Sequence, residues 1–179
     1  MALSDYDFVK YEPKQMEHLA RHLEGSQTAG SHFSKGAFPT AKDLVDYALE
    51  HIQDYSGQRL VREIDAGRII GYDSLVELRN LPSDAVVIQE PRGREGYLVN
   101  IIRGISKTPT SQMVVIAGPL KEHGKHGFYT IFPGQNAPPF PLTKEKLVEI
   151  GYTGEELEKQ VKLNKTYQEF WNQHGFIAD

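Results

Sequence analysis

Tyr97 to Phe132 reads YLVNIIRGISKTPTSQMVVIAGPLKEHGKHGFYTIF. Three runs rich in β-branched and aromatic residues, Tyr97–Arg103, Gln112–Ala117 and Phe128–Phe132, are divided by the turn signals Thr108-Pro109-Thr110 and His123-Gly124-Lys125. The gaps leave no room for crossover helices, so the spacing predicts antiparallel strands. Toward the N-terminus, Leu60–Ile64, Arg68–Tyr72 and Ala85–Gln89 have the same character, with Asp65-Ala66-Gly67, Pro82-Ser83-Asp84 and Pro91-Arg92-Gly93 as turns. Leu75–Leu81 reads equally as a short helix or a strand.

Outside this region the apolar period is that of a helix. From Glu12 to Glu24, Pro13 suits a first turn, and Met16, Leu19, Ala20 and Leu23 share a stripe that Gly25 ends. A loop from Ser26 to Pro39 follows, with Phe33 and Phe38 as anchors. Thr40 with Asp43 forms a capping-box pair for a second helix ending near Ser56-Gly57, with Leu44, Ala48 and Tyr55 on one face. After Pro133 the run GQNAPPFP is irregular, because proline cannot join a ladder. Thr143 caps a short helix, and Thr153 with Glu156 opens a longer one to about Gln173, with Leu157, Val161, Tyr167, Phe170 and Trp171 as candidates for burial. The expected fold class is α+β: two N-terminal helices, an antiparallel sheet of about five strands and a C-terminal helical tail. We expect a single domain over residues 1–179, with a helical lead (1–57), a sheet region (58–134) and a Pro-rich link with closing helices (135–179).

With 179 residues the chain is long enough to bury a core without covalent staples. Cysteine is absent, which excludes disulfides, thiolate nucleophiles and Cys-based metal sites. A formal net charge of -4 is unlike that of a strong nonspecific duplex-DNA binder. Met1-Ala2-Leu3-Ser4-Asp5 lacks the basic lead of a secretory signal, and no apolar run reaches the ~20 residues of a membrane span. The expected location is the cytoplasm, or a target cytoplasm reached without a cleavable signal, and no membrane partner is expected.

Seven histidines are present, and histidine titrates near neutral pH. His18 and His22 stand at i and i+4 on the first helix. The zinc-protease pattern would place Glu after the first His, whereas Leu19 stands there, so this pair reads as solvated helix histidines. His32 lies in Gly30-Ser31-His32-Phe33-Ser34-Lys35, a small-residue loop suited to presenting a catalytic imidazole. His123 and His126 occupy a polar turn that reads as a hairpin tip or a basic lip. Positive charge gathers at Arg92, Arg94, Arg103, Lys107, Lys121 and Lys125 against Glu90, Glu95 and Glu122. Arg103 ends the apolar run Leu98–Ile102, where a guanidinium fork can grip phosphate. On the last strand, alternation pairs Tyr129 with Ile131 on one face and Thr130 with Phe132 on the other. No GxxxxGK[ST], GxGxxG or GxSxG motif occurs, so NTPase, dinucleotide dehydrogenase and α/β-hydrolase readings are disfavoured.

Two segments carry a resemblance. SHFSKGAFPTAKDLVDYALEHI looks like the His/Ser/Phe-Pro segment, and GFYTIFPG like the closing strand, of the metal-independent ribonucleases grouped around barnase, EndoU, the RNase colicins and RelE. The likeness spans roughly Glu17 to Gly134, and many such domains are toxin modules. It implies RNA as substrate, no cofactor, no metal, and an immunity or antitoxin protein as partner. It also implies 2′-hydroxyl attack on phosphorus, with His32 as base or acid, Arg103 as phosphate clamp, Thr130 as orienting donor, and His126 or Lys35 as the second proton-transfer group. The rival reading is a noncatalytic phage- or secretion-associated interaction module that buries Phe170 and Trp171 against a partner. An ADP-ribosyl transferase ranks lower, because no E-x-E pair stands on an expected strand.

Overall fold

Thr40 caps its helix as the spacing predicts. Its hydroxyl accepts the Asp43 N–H at 3.2 Å, and the Asp43 carboxylate accepts the Thr40 N–H at 3.0 Å. The structure is a computed structural model describing residues 2–24 and 30–178. The Gly25 helix stop and the loop segment 26–29 lie outside the described residues. In chain order the elements begin with β1 (Asp7–Val9), α1 (Pro13–Ala20), β2 (His32–Phe33), α2 (Ala41–Glu50), β3 (Leu60–Asp65), β4 (Gly71–Asp73) and β5 (Leu75–Glu77). They continue with β6 (Val86–Arg92), β7 (Tyr97–Arg103), β8 (Thr108–Thr110), β9 (Gln112–Pro119), β10 (Lys125–Pro133), α3 (Lys144–Glu149), α4 (Gly154–Gln173) and β11 (His174–Ile177).

The class is α+β, but the layout differs from the expected single sheet of about five strands. Among the described residues eleven strands form three sheets, ordered β1-β10-β9-β3, β2-β4-β8 and β5-β11-β7-β6. The chain divides into two compact units, one of Met1–Ser74 and Lys107–Asn136, the other of Leu75–Ser106 and Ala137–Asp179.

The first unit holds α1, α2 and two of the sheets. The antiparallel pairs β9–β10 and β3–β9 match the expected strand direction. β1 had no sequence signal; its three residues are too few to show a period, and parallel pairing with β10 makes it a strand. β2, expected as loop, exists because His32 and Phe33 pair with Tyr72 and Gly71. A Cβ at Gly71 would collide with the His32 carbonyl, so glycine permits that pairing. β8 was expected as a turn, yet Pro109 fits because β8 is an edge strand. Phe33, Leu44, Val45, Ala48, Ile52, Tyr55, Ile70, Met113, Val115, Phe128 and Ile131 fill the core between α2 and the strands.

The second unit carries β5, β6, β7, β11, α3 and α4. Leu75–Leu81 resolves into β5 followed by a 3₁₀ turn at Leu78–Asn80. Thr143 accepts the Lys146 N–H at 3.2 Å, as expected. Thr153 departs from expectation, since its side chain makes no capping bond. The tail does not end as helix either: β11 inserts between β5 and β7, antiparallel to the first and parallel to the second. The Asn100 amide donates to the carbonyls of Trp171 (3.2 Å) and His174 (3.1 Å), holding the helix end against β7. Trp171 is 3% exposed and packs on Phe140 and Phe176, so it serves its own core. That removes it from the partner face of the interaction-module reading. Among the described residues no helix is long and apolar enough to cross a membrane.

Candidate active site

α1 begins where Pro13 needs no N–H partner and the Glu12 carboxylate accepts the Gln15 N–H at 2.7 Å. Leu19 turns inward and is buried, which sets the helix rotation. Gln15 and His18, three residues apart, then lie over β10. The helix stops at Ala20, and His22 continues the same flank from the following turn.

β10 is irregular where these residues meet it. Its register against β9 shifts between Phe128 and Thr130, leaving Tyr129 as the extra residue of a β-bulge. The alternation expected for Tyr129–Phe132 is broken at Tyr129 alone: Phe128 and Ile131, three apart, are both buried, while Thr130 and Phe132 share the face that meets His18 and His22. The Gln15 amide faces the bulge carbonyls, and assigned with its nitrogen toward them it donates to Phe128 O (3.0 Å) and Tyr129 O (3.2 Å). Thr130 is left aimed at α1. Its Oγ1 lies 3.1 Å from His18 Nε2.

His22 stands beside this contact. Its ring centroid is 5.3 Å from that of His18 and 6.1 Å from that of Phe132, and its Nδ1 lies 3.4 Å from the Ser31 carbonyl. A carbonyl only accepts, so this contact is a hydrogen bond in the tautomer with the proton on Nδ1 and the lone pair on Nε2. Burial pushes the pKa of both imidazoles below the usual 6.5, with the Arg21 charge acting in the same direction. Near pH 7 both rings are neutral. Two neutral imidazoles and one hydroxyl, half-buried together, can exchange protons with a polar substrate, and an anion docked there would raise their affinity for protons.

Of the expected catalytic residues, Thr130 belongs to this group and the others hold different places. His32 pairs with Tyr72 across β2–β4 and lays its ring on the Tyr72 ring at 5.3 Å. Lys35 donates its backbone N–H to Glu24 at 2.6 Å and borders an open groove of about 530 Å³ with Glu17, Arg21 and Phe38. His126 accepts or donates a 2.7 Å bond to the Tyr55 hydroxyl and meets the edge of Tyr6. Arg103 belongs to the second unit, where Glu90 holds its guanidinium at 3.4 Å.

No known family and no curated protein sequence matches the chain. One similar solved structure is a conserved hypothetical protein from Toxoplasma gondii ME49, at 10% identity and a TM-score of 0.45, covering 85% of this chain and 94% of that one. A likeness of that degree carries no functional argument.

His18 and His22 are the residues that reasoning from sequence passed over. Their spacing was visible, but solvation was the expected state, whereas both are partly removed from water. No sequence signal marks the pair, because polar residues beside an apolar stripe are the ordinary solvent face of an amphipathic helix. Among the described residues no group of three or more His, Asp or Glu side chains is placed to hold a metal ion.

Proposed function

We propose that the chain is a metal-independent endoribonuclease domain of the toxin type, cleaving RNA by attack of the ribose 2′-hydroxyl, with His18, His22 and Thr130 at its centre. The observation that carries the reading is the 3.1 Å His18–Thr130 contact with a second imidazole 5.3 Å away. His22 Nε2 takes the 2′-hydroxyl proton. The 2′-oxygen bonds to phosphorus as the bond from phosphorus to the 5′-oxygen breaks, and protonated His18 gives its proton to that leaving oxygen. The products are a 2′,3′-cyclic phosphate and a 5′-hydroxyl. Thr130 keeps one bond to His18 and directs its own O–H at a nonbridging phosphoryl oxygen. Burial keeps His22 neutral and able to act as base, while the phosphodiester charge supplies what His18 needs to bind its proton.

The test is cleavage of tRNA and total RNA in EDTA, reading cyclic-phosphate ends. His18→Ala and His22→Ala are each expected to slow cleavage by roughly 10²–10⁴-fold, with His32→Ala near wild type. An inert wild-type protein, or His18→Ala and His22→Ala as active as wild type, would overturn the proposal.

A further inference from the structure

Asp73 ends β4 and is only 5% exposed, yet no step above uses it. Its carboxyl group joins two segments that flank His22. Oδ1 accepts the Ser31 hydroxyl at 3.3 Å, and Oδ2 accepts the Gln135 backbone N–H at 3.1 Å just beyond the end of β10. Ser31 is held from a second side as well: its Oγ accepts the Ser74 N–H at 2.9 Å and lies 3.0 Å from the Ser74 hydroxyl. With Ser31 donating to Asp73, the Ser74 hydroxyl donates to Ser31, and all these groups are satisfied. Gly134 presses directly on the carboxyl group. Its φ is +97°, and a Cβ there would overlap the Asp73 side chain. A glycine at this point lets the chain after β10 close over the acid.

The consequence is carried by the Ser31 carbonyl. That oxygen faces His22 Nδ1 at 3.4 Å, a loose distance at which a small shift of Ser31 decides whether the bond exists. Whatever fixes Ser31 therefore fixes which nitrogen of His22 bears the proton. We infer that Asp73 is a positioning residue for His22: by clamping Ser31 and Gln135 together it holds the carbonyl that keeps the proton on Nδ1 and the lone pair on Nε2. Its mechanistic meaning rests on the ribonuclease reading, but the claim about His22 does not.

The charged groups that bear on His22 are His18 and Arg21. The experiment is ¹⁵N NMR of histidine-labelled protein, following tautomer and titration midpoint of His18 and His22 in wild type, Asp73→Asn and Ser31→Ala. Wild type is expected to show His22 with Nδ1 protonated. In both variants His22 should move to mixed tautomers while His18 stays as it was. Unchanged His22 tautomers in the variants, or His18 and His22 changing alike, would overturn the inference. Should Asp73→Asn fail to fold, Ser31→Ala alone reads the same relay, because it leaves the acid in place. With RNA, kcat is expected to fall about 10- to 100-fold with KM nearly constant. An altered His22 in a protein whose wild type never cleaves RNA would sink the ribonuclease reading and leave the positioning role standing.

Discussion

His18 Nε2 lies 3.1 Å from Thr130 Oγ1 across 112 residues of chain. A bulge at Tyr129 precedes Thr130 on β10, and the Gln15 amide, one turn earlier on the same helix as His18, faces the carbonyls of that bulge. A short helix, a strand irregularity and an amide meet where one hydroxyl faces one imidazole.

Thr130 separates hydroxyl chemistry from strand packing. Thr130→Val keeps the β-branched shape and removes the donor, so cleavage of RNA should fall roughly 10- to 100-fold, about the effect of losing a transition-state donor. Thr130→Ser keeps the hydroxyl and should retain most of the rate. Single-turnover cleavage of a short RNA compares them; equal rates for the Val and Ser variants would remove Thr130 from the mechanism.

The half-buried histidines make stability depend on pH with a definite sign. Both have folded-state pKa values below 6.5, so in the window from about 6.5 down to those values the unfolded chain binds more protons than the folded one. Their contribution is present above pH 6.5 and is lost as the pH falls through that window. Urea midpoints at pH 7.5 and 5.5 should differ more for wild type than for the His18→Gln/His22→Gln double variant. Equal pH sensitivity in the two proteins would contradict the assigned burial.

Gly175 tests the placement of β11. A Cβ there would overlap the Ile102 side chain and come within 2.5 Å of the Asn100 carbonyl. Backbone cannot yield as a side-chain tip can, so Gly175→Ala should cost at least about 1–3 kcal/mol. Chemical denaturation followed by tryptophan fluorescence reads this directly, since Trp171 is the only tryptophan and lies in the same unit.

Trp171 itself fills the core of that unit against Phe140, Phe170 and Phe176, and its indole N–H donates to Pro139 O at 3.2 Å. Trp171→Ala should destabilise by about 3–5 kcal/mol. A loss below 1 kcal/mol, measured by circular dichroism in urea, would show that the indole is not the packing element described.

Local signals were legible where a few neighbouring residues decide the outcome. The Thr40–Asp43 box, Pro13 at a helix start, the Thr143 cap and the long helix to Gln173 all rest on interactions within about one turn. The runs that became β3, β7, β9 and β10 were visible because side-chain alternation is local as well. β1, β2 and β11 were not, since two to four residues carry no measurable period and become strands only by meeting a partner. Leu60–Asp65 shows the same limit from the other side. Its strand character was evident, but its pairing with β9 some 50 residues later was not.

For the candidate site, the chemistry-bearing residue types were readable and their company was not. Thr130 was selected for its hydroxyl on the closing strand, a property of one residue in one element. His32 was preferred over His18 and His22 because loop composition suggested presentation and helix spacing suggested solvent. That His18 and His22 gather beside Thr130 follows from a bulge that no composition announces and from β10 lying over α1. Amino-acid order alone decided which segments could be helix or strand, because hydrogen bonding, capping and side-chain period act over a few residues. Tertiary packing alone decided that two histidines and a threonine lose water together, because desolvation is a property of what surrounds a group and not of its neighbours in the chain.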